Sequence, residues 1–540
     1  MAPRLAALLA QRGVRDIEAA RDFLTPRLDQ LHPATGLAGI ADAVARLVRA
    51  RETGEAVAIV GDYDVDGVAA TALLLGVLRH LGISAQPILP SRHDEGYGFQ
   101  PLHVERAREL GARLLVTVDC GVTAFEAIAA ARAAGIDVVV TDHHLPGERL
   151  PPGAIVVNPR QGSCTYPFRD LSGAGLALKL ATALYAAHDR EVPWESLLRM
   201  ACLGTIADVA PLVGENRVLA RFGLAALARS PSPGMRELFR RTAIAGEPTA
   251  SDVAFRLGPR LNAAGRLARA DAALELLLTR DPRRAAELGE ELENLNRARQ
   301  ELESRVLAEA RAEFAGQGES RLLVAWSGDW HRGVVGIAAG RLARELHRPV
   351  ILLGVEGELA VGSGRSVPGV ELHELIAPWR ERLVRFGGHA QAVGLTARTG
   401  DLDDLRLAWT ERAAREIPES DFAAELRFDL ALAPNEIDDR LAAMVAQLEP
   451  CGQGNPEPVF RLGPLTAEAP PRQFGRGHLE VRVAGTAAGR CRLIAWRFLD
   501  DPGVFARPFE ALARFAGASR RGDLELHLVD VRPVADGGAA

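Results

Sequence analysis

The chain has 540 residues, 48% hydrophobic and 25% charged, with a formal net charge of −6, enough for three or four domains with real cores. Five scattered cysteines (Cys120, Cys164, Cys202, Cys451, Cys491) form no C-x-x-C pair, which argues against a zinc ribbon and a disulfide framework and leaves buried reduced thiols. No apolar run reaches the length of a membrane span, and residues 1–10 lack the sustained apolar stretch of a signal peptide, so no membrane association is expected and the cytoplasm is the expected compartment.

Residues 1–50 read as helices, ending in an amphipathic stretch around Ala41 to Arg51. An apolar run, Ala56 to Val60, then stops at a Gly-Asp-rich turn, and a helical pattern follows from Val68 to Leu81. Two further runs repeat the scheme: Leu114 to Val118 ending at Asp119, and Val138 to Thr141 ending at Asp142. Helical patterns at His103 to Leu110 and Ala124 to Ala134 separate them, and alternating strands and helices imply a parallel α/β sheet.

Residues 171–225 look mostly helical. Pro282 to about Phe314 is a long charged helical pattern, expected as a solvated connector between lobes. A second α/β pattern begins near Arg321: strand Leu322 to Trp326, helix Val334 to Leu346, strand Pro349 to Leu353. From about Phe422 the character shifts to short β-like runs (Leu479 to Val483, Arg492 to Trp496, Leu524 to Val529), as in a small β-barrel.

The strongest chemical signal is Gly61-Asp62-Tyr63-Asp64-Val65-Asp66-Gly67, directly after a strand. Three carboxylates at alternating positions repel one another, so a cation belongs among them, and oxygen ligands suit Mg²⁺ or Mn²⁺. An EF-hand loop fails as a rival, because Ala72 or Leu73 stands where its terminal Glu is required and a strand precedes it. Asp119 ends the next strand, and Asp142-His143-His144 ends the one after. Carboxyl ends of parallel strands gather on one sheet edge, where Asp64, Asp66, Asp119 and His143 can meet. Asp208, set among small apolar residues, is a candidate fifth ligand, with a helix cap as its plain alternative.

G-D-Y-D-V-D-G at 61–67, V-D-C-G at 118–121, T-D-H-H at 141–144 and G-T-I-A-D-V-A-P-L at 204–212 resemble, in order and spacing, the motifs of the DHH phosphoesterase superfamily. The likeness continues in Arg256 to Leu267, Trp330 to Ile337, Phe386 to His389 and Leu448 to Pro458, and within the superfamily it is to bacterial exonucleases that degrade single-stranded DNA from the 5′ end. The resemblance implies a 1–50 helical segment, a 51–225 parallel-sheet DHH catalytic domain, a 226–320 helical region with the long connecting helix, a 321–420 smaller α/β DHH-associated domain, and a 421–535 OB-like β-barrel. It implies two divalent ions, Mn²⁺ or Mg²⁺, held by Asp64, Asp66, Asp119, His143 and Asp208. Where some relatives have a His, Val60 cannot ligate, and Asp62 or water fills that place. His144 carries over as a catalytic helper or phosphate contact, and Asp142 orients its neighbours.

On the substrate side the resemblance implies Ser363 and Arg365, with Arg92, for a 5′ phosphate, and adds Arg266, Gly388 and His389. Gly387 and Gly388 also read as an ordinary turn. In the barrel, Arg472, Phe474, Arg476 and His478 form one basic-aromatic cluster and Trp496, Arg497 and Phe498 another; Phe474 is the expected stacking residue, and Trp496 or Phe498 is expected in the core. The implied activity is 5′-to-3′ single-strand exonuclease action in DNA repair and recombination, by a monomer, with single-stranded DNA as partner and a single-strand-binding protein and a RecQ-type helicase beside it. The rivals are a phosphatase of short oligonucleotides, disfavoured by the extra residues 422–535, and an inactive nucleic-acid-binding scaffold, disfavoured by the retained acids and histidines.

Overall fold

The structure is a computed structural model and describes residues 2–91, 95–96, 98–418, 422, 425–475, 477–498, 501–518 and 523–534. Its chain divides into two compact units, Met1–Leu89 with Gly98–Gly258 and Leu426–Ala540, and Pro90–Tyr97 with Pro259–Glu425.

The first unit opens with α1 (Pro3–Gln11), α2 (Ile17–Leu24) and α3 (Ile40–Thr53). A five-stranded sheet follows, made by β1 (Ala56–Gly61), β2 (Ala85–Ile88), β3 (Ala112–Val118), β4 (Asp137–Thr141) and β5 (Ala154–Val157), in the order β2-β1-β3-β4-β5. All its pairs are parallel. Val57 to Gly61 and Leu114 to Val118 are buried without interruption. That is the pattern of strands covered on both faces, which is why these apolar runs do not alternate. The connections are α4 (Val65–His80), α5 (Pro101–Glu109) and α6 (Phe125–Ala133), and α7 (Gly173–Ala187), α8 (Trp194–Ala207), α9 (Gly214–Ala228) and α10 (Pro233–Thr242) follow the sheet. The helix α4 is buried almost all round, between the sheet and the pair α7 and α8.

Several features of this unit differ from the sequence expectation. Strands β2 and β5 are additional. The Gly-Asp turn after β1 is shorter than expected, because α4 begins at Val65 and takes Asp66 into its first turn. Asp208 follows the last residue of α8, so it caps no helix N-terminus.

The unit's C-terminal part holds α18 (Asp439–Ala446) and a seven-stranded mixed sheet. Its strands, in the order β11-β12-β16-β17-β15-β14-β13, are β11 (Leu430–Leu432), β12 (Phe460–Leu465), β13 (Arg472–Phe474), β14 (His478–Val483), β15 (Cys491–Ala495), β16 (Phe509–Ala518) and β17 (Leu524–Pro533). Leu5, Leu8 and Leu9 of α1 share its core with Phe460, Val481 and Phe509.

The first unit also holds α11 (Ala250–Asp252), and the second contains α12 (Gly258–Leu267) from Pro259 on, α13 (Asp271–Leu278) and the 34-residue α14 (Pro282–Ala315). The long helix is less solvated than its charge pattern implies: Val306, Leu307, Ala310 and Phe314 are buried against α15 (Arg332–Leu346) and β6 (Leu323–Ser327). The sheet runs β6-β7-β8-β10-β9, with β7 (Val350–Glu356), β8 (Leu359–Arg365), β9 (Arg385–His389) and β10 (Ala392–Arg398), and α16 (Leu372–Ile376) and α17 (Leu402–Glu416) complete the unit. No helix among the described residues is long and apolar enough to cross a membrane.

Candidate metal centre

Four of the predicted ligands arrive on three neighbouring strand ends. After β1 the chain turns tightly; a Cβ on Gly67 would lie 2.5 Å from the Asp62 backbone nitrogen, so only glycine closes this turn. Asp64 caps α4, accepting the Gly67 N–H at 3.0 Å. Asp66, 1% exposed, accepts the N–H groups of Gly173 at 2.6 Å and Ala174 at 2.9 Å, the first residues of α7. One helix thus presents the carboxylate and another neutralises part of its charge.

Asp119 leaves β3 with φ 63°, a left-handed conformation that Asp adopts more readily than most side chains. A Cβ on Gly173 would lie 2.5 Å from the Asp119 Cβ, so the start of α7 is pressed against this acid. Beyond β4, Asp142 accepts the Val122 N–H at 2.8 Å and the His144 N–H at 3.0 Å. Its Oδ1 also lies 2.7 Å from His144 Nδ1, which assigns chemistry at that ring to Nε2.

Among the described residues, three groups of side chains have ligand atoms close enough to share an ion: Asp62, Asp64 and Asp119; Asp66, His143 and Asp208; and Asp119, His143 and His144. His143 Nε2 lies 3.0 Å from Asp119 Oδ1, 3.8 Å from Asp208 Oδ2 and 4.0 Å from Asp66 Oδ2. Every predicted ligand therefore belongs to one cluster. Asp62 is in it too, whereas Val60 is fully buried in the sheet's core.

Two ionised carboxylates about 4 Å apart repel by about 4 kcal/mol at an effective dielectric of about 20. Burial and then the Asp64 charge push Asp66 up to about 7. Burial, with the charges of Asp66 and Asp64, pushes Asp208 up to about 8, and burial with four carboxylate neighbours raises Asp119 well above the usual range. His143 is brought down to about 4 by burial and by His144, so it is a neutral imidazole ready to ligate. Burial is the largest single influence and opposes charge on both members of the Asp142–His144 pair, but their hydrogen bond and opposite charges, with the backbone donors to Asp142, together exceed it, lowering Asp142 and raising His144.

The cluster passes a direct test of fit. Asp119 Oδ1 and His143 Nε2 are buried 3.0 Å apart and make no hydrogen bond among the described residues, although buried polar atoms are nearly always paired. Hard oxygen donors with one imidazole suit Mn²⁺ or Mg²⁺, and a cation would satisfy both orphaned atoms and reverse the raised acid pKa values.

In the second unit, Ser363 and Arg365 lie on β8, where the Arg365 guanidinium donates to the Ser363 hydroxyl. Gly336 and Gly340 of α15 face them, since added Cβ atoms would meet Ser363 at 3.3 Å and Arg365 at 3.6 Å. Arg266 Nη1 donates to the Gly333 carbonyl at 3.4 Å, near the start of the same helix. Gly388 and His389 are on the edge strand β9, and so is Gly387; none is in a turn. Gly388 has φ 140°, and a Cβ there would lie 2.2 Å from the Ala392 carbonyl, so strand pairing alone demands this glycine. Arg92 and Arg476 lie outside the described residues.

Phe474 is half-buried on β13, with its ring 5.3 Å from His478 and 5.8 Å from Trp496. Of the two aromatics expected as alternatives for the core, Phe498 packs on it, whereas Trp496 is 52% exposed with its ring 5.6 Å from His527. The residues missed by sequence reasoning follow β5: the buried Asn158 donates to the His144 carbonyl at 2.9 Å, and the Arg160 charge opposes protonation of both His143 and Asp208. Their signal was the strand itself, since its end falls on the same edge.

Family models match along most of the chain: the DHH family N-terminal domain at residues 56–205, the DHHA1 domain at 319–414 and the RecJ OB domain at 428–514. A curated relative from Bacillus subtilis (strain 168), named single-stranded-DNA-specific exonuclease RecJ, is 39% identical over 461 residues, 84% of this chain and 58% of that relative. The relative of the same name from Dickeya dadantii (strain 3937) is 37% identical over 515 residues, 90% of this chain and 87% of the relative. The crystal structure of RecJ in complex with Mn²⁺ from Thermus thermophilus superposes with a TM-score of 0.84 at 33% identity, covering 100% of this chain and 77% of that one. On these matches, the chain belongs to the RecJ family of the DHH superfamily.

Proposed function

We propose that this chain is a metal-dependent exonuclease that hydrolyses single-stranded DNA from its 5′ end and releases 5′-mononucleotides. The carrying observation is the cluster of Asp66, Asp119, His143 and Asp208 at one sheet edge, with two buried polar atoms that face each other and have no hydrogen-bond partner among the described residues. Support comes from the relatives' name and from the Mn²⁺ and Mg²⁺ complexes of the Thermus thermophilus RecJ.

Asp62, Asp64 and Asp119 would hold one divalent ion, and Asp66, His143 and Asp208 a second, with Asp119 within reach of both. When bound, such ions acidify water and stabilise the leaving oxygen of a phosphodiester. The chain's own residues do the rest. The α7 N-terminus holds Asp66 in place, and neutral His143 keeps a lone pair toward the cluster. Asp142 fixes the His144 ring so that Nε2 can donate to a phosphoryl oxygen or hold a proton there. Ser363 and Arg365, backed by Arg266, supply hydroxyl and guanidinium donors for a 5′ phosphate, and Arg92 is proposed with them. Gly388 and His389 border the strand on β9, and Phe474 joins a stacking surface on the barrel. A duplex-opening enzyme such as a RecQ-type helicase has to supply the substrate, and a single-strand-binding protein would share it.

Digesting oligonucleotides labelled at either end, with Mn²⁺ or with chelator, tests this reading. Mononucleotides should appear first from the 5′ label, only with metal, and from single strands rather than duplex. Release from the 3′ end, or activity in chelator, would refute it.

A further inference from the structure

Asp208 is held to its own element at one point, where its N–H donates to the Gly204 carbonyl of α8 at 2.9 Å. It follows the end of α8, and the next residue, Val209, has φ 59°. A β-branched side chain there is strained, and such a conformation persists only where the surroundings impose it. Part of the restraint is local: Ala210 N–H donates to the Thr205 carbonyl at 3.1 Å, and the Asn216 amide donates to the Pro211 carbonyl at 3.1 Å. The rest comes from more than 200 residues away. Leu212 N–H donates to the Gln453 carbonyl at 2.7 Å.

The loop that provides that carbonyl is shaped for the contact. A Cβ on Gly452 would lie 2.7 Å from Leu212 Cδ1, and one on Gly454, whose φ is 74°, 3.2 Å from Pro211 Cβ. The glycines let the loop lie flat on Pro211 and Leu212. Buried Arg217 of α9 grips it from below, donating to the carbonyls of Leu448 at 2.9 Å, Pro450 at 3.1 Å and Glu449 at 2.8 Å. The fully buried Asn455 closes it, donating to the carbonyls of Leu448 at 2.8 Å and Pro450 at 2.9 Å. The segments Gly204 to Leu212 and Leu448 to Pro458, far apart in sequence, are the two halves of one contact.

We infer that the loop Leu448 to Asn455 is a positioning device for Asp208, through which the C-terminal sheet sets metal occupancy at the catalytic sheet. Arg217 and Asn455 are positioning residues, and the inference rests on the proposed role of Asp208 as a ligand. The consequence is that metal affinity depends on residues that touch no ligand atom of the cluster.

The test is Mn²⁺ binding to the full chain without DNA, read by electron paramagnetic resonance of free Mn²⁺, with the folded fraction checked by circular dichroism. Asp208→Asn, Asn455→Ala and the milder Arg217→Lys are compared, with the double variant Asp208→Asn/Asn455→Ala. Asn455→Ala should weaken one Mn²⁺ site about tenfold, the scale of lost support behind a metal ligand. The double variant should bind no more weakly than Asp208→Asn alone. A purely structural loop would lower the melting temperature and leave Mn²⁺ affinity unchanged. Normal binding by both Asn455→Ala and Arg217→Lys beside impaired Asp208→Asn overturns the inference and leaves the ligand reading intact, as does an additive loss in the double variant. Normal binding by Asp208→Asn overturns the ligand reading itself.

Discussion

At the scale of single residues, Asp119 is surrounded by reasons not to ionise. It is 2% exposed, four carboxylates face it, and one of its oxygens has no hydrogen bond. Such a group costs stability in the metal-free protein and repays it only through a cation. The same logic fixes a pH dependence. Asp66 and Asp208 rise from 3.8 to about 7 and about 8, so the native state keeps protons that the unfolded chain has already released. Where the native state binds more protons, stability falls as pH rises. Metal-free protein in chelator should therefore melt at progressively lower temperature between about pH 4 and about pH 8, and saturating Mn²⁺ should reverse the trend. Asp119→Asn should raise metal-free stability at the alkaline end by about 1–2 kcal/mol while removing hydrolysis. Calorimetry at several pH values checks both; a metal-free melting temperature that climbs with pH contradicts the assignment.

At the scale of elements, the helices reach the site because glycines let them come close. A Cβ on Gly204 of α8 would lie 2.1 Å from Asp66 Oδ1 and 2.5 Å from the Ala174 Cβ. Gly204→Ala should push α8 off α4 and α7, costing about 1–3 kcal/mol as overpacking does, and should loosen Asp66. Gly76 of α4 has no atom within 4 Å of an added Cβ, so Gly76→Ala should be neutral or stabilising by up to about 1 kcal/mol. Urea unfolding of the two variants separates close approach from helix propensity, and equal midpoints would sink the packing argument. These glycines also mark what the sequence could and could not disclose. Leu114 to Val118 and Val138 to Thr141 were legible as buried strands, and with them the convergence of Asp119 and His143. The four residues of β5 follow Pro151, Pro152 and Gly153 and are too short to stand out, so Asn158 and Arg160 beyond its end went unnoticed. The start of α4 was hidden because Asp and Gly are poor in helix interiors, yet Asp64 and Asp66 occupy the cap and first turn, where acids are favoured. Contacts such as Gly173 against Asp119 arise only when helices pack, and no local pattern announces them.

For the whole molecule, a net charge of −6 looks ill suited to a polyanionic substrate. The sum hides its distribution, because the carboxylates clustered at the end of the parallel sheet are mostly buried and could hold a cation, so they contribute little to a surface field. The C-terminal sheet is different: Glu480 is shared by Arg472 at 2.8 Å, Arg492 at 3.5 Å and Arg482 at 3.9 Å. Beside them the rings of Phe474, His478, Trp496 and His527 form one patch. Alternation left Trp496 or Phe498 as the core residue, and the choice falls on Phe498 because the strand ends at Ala495 and Arg497 turns the chain with φ 52°. Beyond a strand end the alternation no longer applies, and the indole emerges at the surface. Base stacking on an aromatic ring contributes about 1–3 kcal/mol per base, so Trp496→Ala should raise KM for a long single strand roughly 5- to 150-fold. If the ring only holds the strand, kcat stays unchanged, since binding lost equally from ground and transition states moves KM alone. A strand carrying an abasic stretch offers nothing to stack, so wild type and Trp496→Ala should handle it with similar KM. Steady-state kinetics on the two strands decide the matter: an equal KM defect on the abasic strand would show that Trp496 supports the barrel and leaves base recognition to other groups.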